Sequence, residues 1–323
     1  MNLQSFELEW QAMDNKQTIS QEVKRLQFRI KGILPLAYHA CMESVSPTSM
    51  GSAGLKYSAD GKVAWDEIWT SFCDLALAGG PPHKGKLLPP VDASELTEKP
   101  DAWVEVATEI QRGIFLTTGL RAQIGPSEGW VSITFKTEMM AAWLHRAIMA
   151  ENVFASRTSH TLHLPAGPNF RLAKEIKNVI VAIAKTYHYL DGHMSPNEQL
   201  KAARVMSDSE LLEPLLAEDG LLTAEEYPTA AQHCQKISCE ALNLPGVPSE
   251  DYGWIGFTCE DEKMAAWYVR AAIAENILAR RQNNVLYLPL FVPLGKADPT
   301  ERVLQVFRRL RKIWDHQKQL GEE

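Results

Sequence analysis

The chain has no excess of positive charge. Its 33 Lys and Arg stand against 40 Asp and Glu, for a net charge of −7 at pH 7. A general nucleic-acid binder needs a basic surface to displace counterions from phosphates, so no nucleic-acid partner is expected despite the basic stretch "FRRLRK". The chain also lacks an apolar run near the roughly 20 residues of a membrane span. Its first residues, "MNLQSFELEWQAMDNK", hold no apolar core like that of a signal peptide, so no membrane partner is expected. Cysteine is scarce. Cys41, Cys73, Cys234, Cys239 and Cys259 are odd in number and form no C-x-x-C. A disulfide framework is therefore not expected, and the cysteine usage suits a cytoplasmic setting.

What the chain does have is a repeat. "MAAWLHRAIMAENVFASR" at 140–157 returns as "MAAWYVRAAIAENILARR" at 264–281, with 11 of 18 positions identical. Chance at average composition gives roughly one. The offset is constant: Trp130 becomes Trp254 (254 − 130 = 124), Pro165 becomes Pro289 and Asp191 becomes Asp315. Residues 103–191 and 227–315 align without a gap. This is a two-fold duplication rather than a solenoid, which needs three or more short repeats.

Each copy reads as helix, turn, short strand ("GWVSITF"; "GWIGFTC"), the repeated helix, a second strand ("TLHLP"; "VLYLP") and a closing helix near 172–190 or 299–318. Strand, long helix and strand with short joints predicts a βαβ unit with parallel strands. The expected fold is α/β: an N-terminal α+β segment packed on two tandem α-β-α-β-α units about a pseudo-two-fold axis. The boundaries are 1–102 for the N-terminal segment, 103–191 for the first unit, 192–226 for a linker with a short helix or two, and 227–323 for the second unit. A duplicated unit can mimic an ancestral homodimer, so a homo-oligomer fits the pattern.

In the N-terminal segment, "RLQFRIKGI" alternates in polarity and predicts a half-buried strand. "GLKYSADGKVAW" predicts a hairpin around Asp60-Gly61. "DEIWTSFCDLALAGG" predicts a helix ending at Gly79-Gly80, and "PPHKGKLLPPVDASELTEKP" a long extended loop.

The repeated helix keeps Glu151 and Glu275 on its apolar face. A carboxylate there requires a partner. Arg146, Arg270, Arg157 and Arg281 are the candidates within the repeat. Asn152 and Asn276 are read as hydrogen-bonding partners of nearby backbone.

The copies diverge after the second strand, "LPAGPNFRLAKEIKN" against "LPLFVPLGKADPTER". In a parallel unit this loop would lie at the ligand-binding edge. In copy one, Arg171, Lys174 and Lys177 stand near a helix start, where backbone N–H groups and cations converge on an anion. The turn matches neither a Walker A nor a G-x-G-x-x-G loop. His145 and His163 of copy one face Val269 and Tyr287 of copy two, which places any chemistry carried by the repeats in copy one.

The N-terminal "PLAYHACMESVSPTSMGSAG" sets His39, Cys41 and Glu43 close together. His39 and Glu43 share a face whether the stretch is helical or extended, and a carboxylate beside an imidazole suits acid–base work. Cys41 is a candidate nucleophile beside His39. His83, with Lys84 and Lys86, lies on the Pro/Gly loop as a further substrate contact. These readings predict a small-molecule enzyme acting on an anionic substrate by general acid–base chemistry. The alternative is a non-catalytic ligand-binding or assembly protein on a duplicated scaffold. His39, Cys41, Cys73 and His83 have metal-ligand types but no zinc spacing, so no metal site is assigned and the cofactor is left open.

Overall fold

The computed structural model describes residues 3–33, 55–67, 86–125, 127–293 and 298–321. The fold mixes helices with two four-stranded sheets. Its first described helix, α1 (Leu3–Ile33), covers the stretch read above as a strand. Leu26, Ile30 and Ile33 are buried while Phe28 is 57% exposed. The spacing i, i+4, i+7 is that of a helix face, and a short window of it mimicked alternation. The hairpin is present: Tyr57 bridges Val63 antiparallel, with Gly61 at φ 80° in the turn. The helix expected over 66–80 lies largely outside the described residues. The long loop is interrupted by α2 (Ala93–Glu98), whose first turn Asp92 caps by accepting from Ser94 N.

The helix α3 (Pro100–Thr118) leads into β1 (Ala122–Ile124) and β2 (Trp130–Thr134). The repeated helix α4 (Glu138–Ala150) follows, started by Thr137, whose side chain accepts from Met140 N. Then come β3 (Ser156–Thr158), β4 (Thr161–Pro165), a π turn over Leu172–Ile176 and α5 (Lys177–Gly192). The stretch 192–226 carries α6 (Pro196–Ser207), with a complete Ser195–Glu198 capping box, and a 3₁₀ turn at Ala217–Asp219. The second half runs α7 (Glu226–Leu242), β5 (Gly246–Val247), β6 (Trp254–Thr258), α8 (Glu262–Ala274), β7 (Arg280–Gln282), β8 (Val285–Pro289) and α9 (Thr300–Gly321).

Strand direction corrects the parallel expectation. The sheets run β1-β2-β4-β3 and β5-β6-β8-β7, and every pairing is antiparallel. The short strands β3 and β7 were not foreseen. Each folds back on β4 or β8 through a tight turn with Ser159 or Asn283 at φ 52°, so the chain enters the last strand as a hairpin. The ligand-edge rule for parallel sheets therefore has no purchase on the loop after β4.

Register recurs at the same offset: Trp130 faces Pro165, and Trp254 faces Pro289. One face of each sheet is apolar and covered. Helices α3 and α4 lie on the first sheet and α7 and α8 on the second. Val131, Ile133, Leu162 and Leu164 are buried, as are Ile255, Phe257, Leu286 and Leu288. A further correspondence lies before the expected repeat start. Leu88 bridges Val153 in parallel, and Leu212 bridges Ile277.

Candidate functional site

The Glu-Asn pair that ends the repeated helix is a helix terminus. Asn152 and Asn276 sit at φ 57° and 59°, the left-handed region. Asn152 N donates to Met149 O (3.0 Å) and Val153 N to Ile148 O (3.4 Å); Asn276 N donates to Ile273 O (3.1 Å) and Ile277 N to Ala272 O (2.9 Å). This is the Schellman pattern, and Asn is the non-glycine residue best suited to its left-handed position. Glu151 and Glu275 are the C-cap residues just before. Both are buried. Lys185 Nζ stands 2.7 Å from Glu151 Oε1. Glu275 receives Arg309 and Arg25, with Arg29 Nε 3.7 Å from its Oε1. Three of the arginines retained within the repeat have other partners. Arg157 binds Glu138, Arg281 lies 3.4 Å from Glu262, and Arg146 donates to Asn276 Oδ1 at 2.8 Å.

His39, Cys41, Glu43 and His83 lie outside the described residues. Of the expected anion contacts, Arg171 is exposed and turned onto Glu175, with NH2 to Oε1 at 2.6 Å and its backbone N–H to Oε2 at 2.9 Å. The Arg171 guanidinium and that backbone N–H hold the Glu175 carboxyl down at about 2. Lys174 is exposed, whereas Lys177 is buried, which lowers its pKa. His145 is fully buried, its Nε2 2.9 Å from Ala155 O, and burial drops its pKa to about 3. Its Nδ1 stands 3.5 Å from Glu213, whose carboxyl burial raises. The Cys234 and Cys259 thiols are pushed up by burial to about 12. Among the described residues, no three His, Cys, Asp or Glu side chains gather as a metal site would require.

Of the two histidines that distinguish copy one, His145 is buried and His163 is partly exposed, on the face of the first sheet away from its helices. The first sheet's other face carries a row across all four strands: Gln123, Ser132, His163 and Ser156 are register partners. Thr134, Thr161 and Thr158 form the next row. These seven line a groove of about 620 Å³ with Trp130, Ser127, Leu216 and Asp219. Ser132 Oγ donates to Gly125 O at 2.7 Å and lies 2.8 Å from His163 Nδ1. One hydroxyl proton serves one acceptor, so His163 carries its proton on Nδ1 and donates it to Ser132. Its Nε2 lone pair then faces Thr158 Oγ1 at 3.4 Å. Partial burial lowers the His163 pKa, which keeps the ring neutral at pH 7. Among the described residues the groove lining includes one carboxylate, Asp219, and no Lys or Arg.

The equivalent row on the second sheet is Val247, Gly256, Tyr287 and Arg280. There the face is filled from within. Arg280 is fully buried, its guanidinium 4.0 Å from the Tyr287 ring centroid and 5.0 Å from that of Trp254, and it is paired with Asp251. At the same offset the first sheet has Ser156, His163, Trp130 and Ser127: one ring is kept and the guanidinium and carboxylate are gone.

Sequence reading named His163 but missed the row. The signal was available once register was known: at the 124-residue offset the inward positions stay apolar, while every outward position in this row changes. Sequence reading also found no nucleophile signature in the chain, although Gly125–Gly129 spells G-x-S-x-G. Ser127 sits in the turn joining antiparallel β1 and β2, not on the strand-to-helix elbow that gives that motif its chemistry. Comparison of the chain with protein-family models, curated proteins and solved structures finds no match.

Proposed function

We propose that this protein is a ligand-binding or assembly protein built on a duplicated scaffold, with the open face of the first sheet as its receptor surface. The duplication and a pseudo-two-fold relation are supported by the shared offset, strand order, register and helix termini. The observation that carries the reading is the contrast between the faces: one is filled by its own Arg280, the other is left as a groove lined by hydroxyls, a neutral imidazole and Trp130. Its volume suits a small ligand or a few side chains of a partner. The groove's chemistry favours binding over transformation. The Ser132 hydroxyl donates to a backbone carbonyl, which argues against His163 as its general base.

The test converts one face into the other. A Ser127→Asp, Ser156→Arg, His163→Tyr variant reproduces the second sheet's set on the first. Native mass spectrometry and thermal-shift screening against a metabolite and peptide collection should find ligands for the wild type that the variant loses. Ligands held equally by both proteins would remove the groove from consideration. A fluorophosphonate should leave Ser127 unlabelled; stoichiometric labelling would return the enzyme reading.

A further inference from the structure

Building on that reading, we infer that the groove over the first sheet takes a guanidinium, presented as an arginine side chain of a polypeptide partner. Three observations converge. First, the corresponding position on the second sheet holds a guanidinium supplied by an edge strand, packed against Trp254 and Tyr287 and paired with Asp251. Second, the first sheet keeps the ring that such a group stacks on, Trp130, and replaces the other by the neutral imidazole of His163. A planar, weakly hydrated guanidinium gains more from such faces than an ammonium does. Third, the lining is complementary in charge and hydrogen bonding. Among the described lining residues Asp219 is the carboxylate and none is a cation, and Gln123, Ser132, Ser156 and Thr158 offer side-chain oxygens to a five-proton donor. The second sheet supplies its cation on β7; the first has Ser156 at the same place on β3, leaving space where another chain's arginine would enter.

The experiment is calorimetric titration of the full chain with four probes at millimolar concentration. These are the capped pentapeptide Ala-Ala-Arg-Ala-Ala, its Lys and Glu counterparts, and agmatine. The Arg peptide should bind at least about tenfold more tightly than the Lys peptide. Asp219→Asn should weaken it about two- to fivefold, since that carboxylate is exposed. The Ser127→Asp, Ser156→Arg double variant should abolish binding while melting no lower than wild type; if that variant does not fold, Asp219→Asn decides. Equal binding of Lys and Arg peptides, Arg binding that survives both variants, or no Arg binding overturns the inference, and agmatine binding as tightly as the peptide overturns the polypeptide source. Binding of the Glu peptide that is lost in the double variant would keep the groove as receptor but refute the guanidinium. If no probe's binding responds to that variant, the receptor reading falls as well.

Discussion

The ammonium of Lys185 lies 2.7 Å from Oε1 of Glu151, and both side chains are withdrawn from solvent. At the 124-residue offset, Lys185 becomes Arg309 and Glu151 becomes Glu275, and these two are paired as well. The closing helix of each half thus contributes a cation to the buried carboxylate at the C-terminus of its repeated helix. Removing one member of such a pair strands the other charge. Glu151→Gln should cost about 3–5 kcal/mol in urea unfolding. Glu275→Gln should cost less, about 1.5–3 kcal/mol, because Arg25 and Arg309 stay partly exposed and can turn to water while the buried Arg29 keeps Asp208. Equal losses would mean that exposure of the partner does not decide the cost.

Asn152 combines a left-handed backbone with a side-chain bond from Nδ2 to Arg281 O at 2.9 Å. Asn152→Ala should lose about 1–2 kcal/mol for the backbone alone, in addition to that bond. Asn152→Gly removes the bond but not the conformational fit, so its loss in the same denaturation assay should be smaller. A Gly variant as unstable as the Ala variant would assign the whole cost to the side chain.

Gly129 and Gly253 both precede the sheet tryptophans at positive φ, 83° and 78°. A Cβ at Gly253 would stand 2.2 Å from the carbonyl oxygen of Leu215, whereas at Gly129 it would meet the end of the Leu96 side chain at 3.0 Å. Backbone yields less than a leucine methyl. Gly129→Ala should cost about the 1–2 kcal/mol of left-handed strain, and Gly253→Ala distinctly more. Thermal denaturation of the two variants side by side checks the order.

His145 gives a pH signature. Its folded pKa of about 3 lies below the ordinary 6.5, chiefly through burial and also through neighbouring Arg146. Between these values the unfolded chain binds a proton that the folded chain refuses. Stability is therefore complete above pH 6.5 and falls as pH drops toward 3, by up to about 1.4 kcal/mol per unit. Glu213, the carboxyl facing His145 Nδ1, is shifted upward and acts in the opposite sense below its folded pKa. His145→Val, the second half's own choice at this position, should flatten the slope between pH 6.5 and 5. Unfolding free energies of wild type and variant at several pH values give the difference directly, and parallel curves would refute the assignment.

Much of this architecture was legible in one sequence because a repeat supplies its own comparison. The offset located the strands β2, β4, β6 and β8, the repeated helices and the need for partners at Glu151 and Glu275. It misled where local pattern carries no direction. "TLHLP" reads the same in a parallel or an antiparallel sheet, and the three-residue strands β3 and β7 fall below what periodicity resolves. The partners of the glutamates were hidden because Lys185 and Arg309 lie 34 residues along, on another helix. The start of the correspondence was missed too. "KLLPPV" and "ELLEPL" keep the offset through Leu87, Leu88 and Pro90, but the match is too short to stand out before the Leu88 and Leu212 bridges are seen.

Arg280 belongs to the chain whose face it fills. Tethered to β7, it acts at the Trp254 surface at an effective concentration fixed by covalent structure, which dilution cannot lower. A free cation would have to outcompete a neighbour that never diffuses away. On the proposed reading the second sheet's face is closed by its own arginine, so binding at the first sheet's groove should saturate at one per chain.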